Sequence, residues 1–329
     1  MKEKPLVSII IVNWNGESII GECLSSVAKT SYPNIETIVV DNNSADKSIE
    51  VIRKYSNVSL YRNGQNSGYT GGNNIGFQIA KGKYVVTLNN DMVVDPEWLT
   101  RPVDLLEKYR DVGIVSCRQM QYFQPELIDS LFNELKSDLS FSPFGFNKKH
   151  KFSKLSSTSG LVLCANGGSA ILRKEMLDQI GGFDEHFFGY YDETDLCFRA
   201  FLRGWKCVYE PDSVVFHMGG SSFKQNEPRR YYLRERNRFW FIYKFMPLSF
   251  IINKFHLFLL MELRVMRIFF FKCKTPGLYF KARFDGISNF KRYRSTRMEN
   301  IRLFNQKKRL FKKYLKLKIL DLDTLKQIQ

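Results

Sequence analysis

Five carboxylates fall within twelve residues, at Asp184, Glu185, Asp192, Glu193 and Asp195, interleaved with aromatic residues and preceded by Gly181-Gly182. Like charges packed this closely repel unless a cation or a shared proton enters the space. If a helix starts near Asp192, positions 192, 195 and 199 share one face and Glu193 turns roughly 100° away. The helix dipole alone attracts one or two acids to a first turn, not five. This division makes Glu193 the general base, with Asp192 and Asp195 orienting it and Arg199 pairing with their face. A second acidic turn, Asn89-Asn90-Asp91, lies about a hundred residues upstream. Hard divalent cations prefer carboxylate oxygen and share their shell with substrate phosphates, so Asp91 is a candidate ligand for Mg or Mn against a diphosphate. The competing reading is a polar turn. His217, between the apolar run Val214–Phe216 and Gly219-Gly220, reads either as a second ligand facing a cleft or as a hydrogen-bonded structural residue. The combined chemistry is that of a metal-assisted transferase acting on a phosphorylated donor.

Two polar turns could bind such a donor. Asp41-Asn42-Asn43-Ser44 is either an Asx turn or a carboxylate accepting a hydrogen bond from a nucleoside. The loop from Asn63 to Gly76 is glycine-rich and runs into a helix, which lets backbone amides approach phosphate oxygens. It has neither Walker A nor GxGxxG spacing.

These residues need elements to position them. Val7–Val12, Ile35–Val40, Val58–Tyr61 and Tyr84–Leu88 read as strands, largely continuous apolar runs of the kind buried on both faces. Helices are expected over Ser18–Lys29, Asp46–Tyr55 and Gly72–Lys81. The alternation predicts an α/β fold with a mixed, mainly parallel, Rossmann-like sheet, its polar turns just after strand C-termini. Asp95 and Pro96 predict a helix start running to Arg110. Val112–Cys117 reads as strand, residues 118–160 as an irregular insertion over the acceptor side, and Leu161–Leu172 as strand again.

Residues 1–228 carry 24 Lys and Arg against 27 Asp and Glu; residues 229–329 carry 26 against 6. The whole net charge of +17 therefore stems from the last hundred residues. That break predicts a catalytic domain over 1–228 and a basic, aromatic helical region over 229–329. Leu310, Phe311, Tyr314, Leu315 and Leu317 fall on one helical arc opposite five Lys and Arg. Such a helix either lies in an anionic membrane interface or packs its stripe on the body. A nucleic-acid-binding tail is the rival from another class, and a non-catalytic nucleotide-sugar-binding protein a third reading. Charges interrupt every apolar run short of a bilayer span. Six cysteines without CxxC spacing and a charged, proline-bearing start predict a cytoplasmic protein, and the basic C-terminal region predicts that it is peripheral at the inner face of the cell membrane.

The ordered set of motifs resembles a known family. Val-Ser-Ile-Ile-Ile-Val-Asn-Trp-Asn, Val-Val-Asp-Asn-Asn-Ser, Asn-Ser-Gly-Tyr-Thr-Gly-Gly-Asn-Asn-Ile-Gly, Leu-Asn-Asn-Asp, the Tyr-Tyr-Asp-Glu-Thr-Asp-Leu-Cys-Phe-Arg block and the His217 strand occur in sequence over residues 5–240. This is similar to the inverting family 2 glycosyltransferases of the GT-A fold, especially a rhamnosyltransferase-like branch. The resemblance implies a nucleotide-sugar donor, dTDP-rhamnose or a UDP-hexose, and a glycan or polyprenyl-diphosphate-linked acceptor in cell-surface polysaccharide synthesis. It implies that Asp41 binds the nucleoside and that Asp91 and His217 hold a Mn or Mg ion. The family's Glu-Asp pair is exchanged to Asp192-Glu193, which puts the base on Glu193. Asn13, Asn15, Asn66, Gly72, Asn73, Asn90, Arg199 and Arg236 complete the expected donor contacts.

Overall fold

The computed structural model describes residues 4–136, 138, 140–149, 151, 153–219 and 227–321. Its strands are β1 (Val7–Asn13), β2 (Ile35–Asp41), β3 (Val58–Arg62), β4 (Tyr84–Asn89), β5 (Met92–Val94), β6 (Val112–Gln121), β7 (Ile128–Ser130), β8 (Asn133–Leu135), β9 (Phe141–Pro143), β10 (Gly160–Val162), β11 (Ser169–Arg173), β12 (Lys206–His217) and β13 (Leu320–Asp321). The main sheet runs β13-β10-β12-β6-β11-β4-β1-β2-β3, with β5 on β12 and β7 on β6. β1 pairs in parallel with β2 (Val7 opposite Ile35) and with β4 (Val7 opposite Tyr84). β11 enters antiparallel between β4 and β6, which makes the sheet mixed. The apolar runs are continuous because helices cover both faces: Ile9, Ile10, Ile11, Val85 and Val86 are all fully buried.

Crossovers are made by α1 (Ile20–Val27), α2 (Ser48–Ile52), α3 (Gly68–Ile79) and α4 (Thr100–Lys108). α3 starts four residues earlier than expected. Gly68 takes φ +71°, and the Asn66 side chain accepts a hydrogen bond from its amide. The helix expected from Pro96 begins only at Thr100, because Asp95 accepts the Glu97 amide and closes a separate turn first. The run Leu161–Leu172 is likewise two strands, β10 and β11, broken by a loop over residues 163–168.

Downstream lie α5 (Lys174–Ile180), α6 (Asp192–Leu202), α7 (Glu227–Phe245), α8 (Leu248–Asn253), α9 (Phe255–Arg267), α10 (Pro276–Ser288) and α11 (Arg294–Leu317). The compositional break at residue 228 is not a break in packing. Trp240, Phe241 and Phe245 of α7 and Phe304, Phe311 and Tyr314 of α11 belong to the same buried cluster as β1 and β4. Phe198 of α6 meets the rings of Phe241, Phe245 and Phe311 at centroid distances of 5.2, 4.9 and 5.8 Å. The expected membrane-lying stripe over Leu310–Leu317 is thereby corrected: most of it faces the body, with Tyr314 against Phe201 at 6.0 Å.

Candidate active site

The C-terminal ends of β1, β2 and β4 bring their polar turns together. Asn13 donates to Asp41 Oδ1 at 2.9 Å and accepts from Asn90 Nδ2 at 2.9 Å. Ser44 donates to Asp41 through both its amide and its hydroxyl, so the Asx-turn reading of Asp41 holds. Asn15, in the left-handed region at φ 50°, spans to the same turn by accepting the Ala45 amide. Gly16 is required here, since a Cβ would lie 2.3 Å from Asn13 Oδ1 and 2.5 Å from Asn90 Nδ2. Asn13, Asp41 and Asn90 are buried. Gly72 lies within α3, where a Cβ would come within 2.6 Å of Val12; its position serves close helix–strand packing, which replaces the expected donor contact. Asn73 is buried beside it; its amide nitrogen donates to Tyr69 O, and its Oδ1 has no hydrogen-bond partner among the described residues.

Asp91 and His217 meet because β5 pairs with the end of β12, His217 opposite Met92. His217 Nε2 lies 3.3 Å from Asp91 Oδ2, and Nδ1 lies 2.9 Å from Asp129 Oδ2. Burial alone would lower the imidazole pKa, but hydrogen bonds and charge from Asp129 and Asp91 outweigh it and push it up to about 10. A carboxylate on the far nitrogen fixes ring orientation and raises ligand basicity, the arrangement found behind metal-bound histidines. The donor set of one carboxylate oxygen and one imidazole nitrogen therefore fits a divalent cation. Among the described residues no group of three His, Cys, Asp or Glu gathers around an ion position, which leaves the rest of a shell to substrate oxygens.

The acidic helix approaches from the opposite side. Phe188, Tyr190 and Tyr191 all carry φ near +66° (66°, 67° and 65°), a strained path for non-glycine residues, before α6 starts at Asp192. Asp192 is buried, and desolvation followed by the Glu193 charge raises its pKa well above the carboxylate range. Burial also raises Glu193, while hydrogen bonds from Asp192 and from Asn133 Nδ2 at 3.0 Å restrain the rise. Both carboxyls are thus raised, buried Asp192 further than half-buried Glu193, and the two titrate as a pair. Glu193 lines a small pocket with Tyr69, Asn166 and Gly167. Gly167 sits against its carboxylate, and a Cβ there would be 3.1 Å from Cδ. The adjacent Gly168 abuts Met92, the residue that follows Asp91 and pairs with His217 across β5 and β12.

Three expected contacts are corrected. Asp195 is fully buried, bonded to Arg199 Nε at 2.7 Å and 2.5 Å from Lys244 Nζ, so it faces away from the cleft. Arg199 donates further to the carbonyls of Ile180, Gly181 and Gly182, so that its guanidinium ties this loop to α6. Arg236 stacks on Trp240 at 4.2 Å and donates to His186 O and Phe187 O. Beside it, Asn237 Nδ2 lies within 2.8–3.0 Å of the carbonyls of Phe187, Gly189 and Tyr190. These side chains hold the strained loop in place. Asp129 and Asn133 were not anticipated. The signal for them was the alternation of polar residues with Ile128, Leu131 and Phe132 in the segment read as irregular.

Residues 8–181 match the family model described as Glycosyl transferase family 2, more than half of the chain. The chain belongs to glycosyl transferase family 2. The matched span holds Asn13, Asp41 and Asp91, whereas Asp192, Glu193 and His217 lie beyond it and are joined to it by the geometry above. Over 200 residues this family 2 chain is 30% identical to an uncharacterized glycosyltransferase of Rickettsia prowazekii, covering 60% of this chain and 59% of that protein. It is 26% identical over 200 residues to a low-salt glycan biosynthesis hexosyltransferase of Haloferax volcanii, covering 59% and 61%. The chain thus spans about three fifths of the length of both. Its GT-A fold is shared with a mannosyltransferase from Pyrobaculum calidifontis solved in complex with GDP-Man and Mn2+ (TM-score 0.56, 17% identity, 85% of this chain and 74% of that one). It is shared also with residues 1-349 of S. aureus TarS in complex with UDP-GlcNAc (TM-score 0.56, 17% identity, 92% and 91%).

Proposed function

We propose that this protein is an inverting, metal-dependent glycosyltransferase. It transfers a hexose from a nucleoside-diphosphate sugar, dTDP-rhamnose or a UDP-hexose, to a hydroxyl of a glycan or polyprenyl-diphosphate-linked glycan at the cytoplasmic face of an anionic membrane. The observation carrying this reading is that the Gly167-Gly168 turn meets Glu193 on one side and Met92 on the other. Met92 is the strand partner of His217 and the neighbour of Asp91, which itself lies 3.3 Å from His217. A sugar hydroxyl is a weak nucleophile, and Glu193 takes its proton as the oxygen attacks the anomeric carbon. Protonated Asp192 and Asn133 hold the Glu193 carboxylate in position. A Mg or Mn ion on Asp91 and His217 would supply positive charge for the departing diphosphate. The Asn13–Asp41–Asn90 network shapes the nucleoside end. With one base and direct displacement, the anomeric centre inverts.

The test is Glu193→Gln. Transfer should fall by about 10²–10⁴-fold, while donor binding, read by thermal shift with Mn, stays close to wild type. A Glu193→Gln enzyme that retains transfer while Asp192→Asn loses it reverses the assignment. A screen of nucleotide sugars by the same thermal shift identifies the donor.

A further inference from the structure

Eleven of the eighteen exposed large apolar side chains among the described residues lie between Leu248 and Ile287. They form stripes at helical spacing. Phe255, Leu259 and Leu263 follow one another at four-residue steps along α9, and Phe280, Phe284 and Ile287 recur at i, i+4 and i+7 along α10. The rings of Phe270 and Phe280 meet at 6.2 Å, which joins the two stripes into one surface. Phe271 and Phe284 are 76% and 72% exposed, values normal for lysine and unusual for phenylalanine clustered this way.

Charge identifies what covers the surface. Residues 248–292 contain nine Lys and Arg and two acids. Glu262 is held inward by Arg238 and Arg283, and Asp285 by Lys281, so neither acid offsets the exposed Arg264, Arg267 and Lys274. A second copy of the chain docking on this face would press one basic rim against another. A nucleic-acid duplex would meet the arginines with phosphates and leave the phenylalanines in water, and the aliphatic Leu259, Leu263 and Ile287 offer a single strand no ring to stack on. We infer that the α8–α10 face lies in the interface of an anionic lipid bilayer, phenylalanine and leucine among the acyl chains and the arginines at the headgroups. No helix among the described residues is long and apolar enough to cross the bilayer, so the contact lies along its surface. This deepens the membrane-borne acceptor reading above, yet it is tested without donor or acceptor.

The experiment is flotation of the full chain with vesicles of phosphatidylcholine alone and of phosphatidylcholine with phosphatidylglycerol. Binding should need the anionic lipid and weaken with added salt. Arg264→Gln with Arg267→Gln should reduce partition about thirtyfold, and Phe271→Glu with Phe284→Glu at least about tenfold. Both double variants should keep the wild-type Tm, since all four side chains are exposed. Met298→Glu, equally exposed but outside the patch, should bind as wild type. Absence of vesicle binding, or equal loss with Met298→Glu, overturns the inference. A concentration-dependent dimer abolished by Phe271→Glu with Phe284→Glu would do so as well, and would make the face an interface between copies. Loss of vesicle binding with transfer to a soluble acceptor preserved separates this surface from the chemistry of Glu193.

Discussion

Asn133 and Asp192 both direct hydrogen-bond donors at Glu193, and burial raises the carboxyls of the pair. For an acid that must be ionised to work, a raised pKa means activity is lost as pH falls, starting above the ordinary glutamate value. The acid limb of kcat/KM against pH should therefore have an apparent pKa higher than about 4.3. That value belongs to the pair and not to either residue. A limb at or below 4.3 would contradict the arrangement. Gly167→Ala should press a Cβ onto the Glu193 carboxylate and lower kcat with little effect on Tm; steady-state kinetics with calorimetry will check this. Asp91, Glu193 and His217 were legible in the sequence because each follows an apolar strand or opens a helix, a local signal. Asp129 and Asn133 were not, because they reach the site on three-residue strands set by pairing with β6 and β9 and by a bridge from Asn133 to Cys164, contacts that no single run of residues displays.

At the level of elements, α7 acts on the loop it packs against. Asn237 spreads its amide over three carbonyls of a segment with three positive φ angles, and no other residue type of its size supplies that set of donors. Asn237→Ala should cost about 2 kcal/mol, from unmet buried carbonyls, and lower kcat more than donor affinity. Denaturant unfolding and a donor titration separate the two effects. Lys244 sits between Asp184 and Asp195, at 2.9 and 2.5 Å. Lys244→Met removes the cation that Asp184 and Asp195 share, leaving buried Asp195 to Arg199 alone, and should destabilise by about 3 kcal/mol. Burial by itself would raise the Asp184 pKa, but Lys244 and His186 overcome it and hold the group at about 2. A depressed carboxylate contributes stability that is present above its unfolded pKa and lost on acidification. On the order of 2 kcal/mol should therefore disappear between about pH 4 and pH 2, and the loss should vanish in Asp184→Asn. The strands of the first ninety residues were readable because each is an apolar β-branched run. The starts of α3 and α4 were not, because single side-chain hydrogen bonds from Asn66 and Asp95 set them.

On the scale of the whole molecule, charge and packing divide the chain differently. The charge balance changes sharply at residue 228, yet Phe198 of the acidic helix is enclosed by rings from α7 and α11. A chain ending at residue 226 should therefore fail to unfold cooperatively and expose Phe198 and Phe201, visible as dye binding and loss of a thermal transition. Composition could not reveal this, because aromatic residues suit a lipid interface and a protein core equally. The sheet itself closes late. β10 receives β13 on its outer side, Gly160 opposite Asp321, across some 160 intervening residues. Until β13 is made, a nascent chain presents β10 as an open edge to its neighbours on the polysome. Its exposure to mispairing lasts while those intervening residues are made.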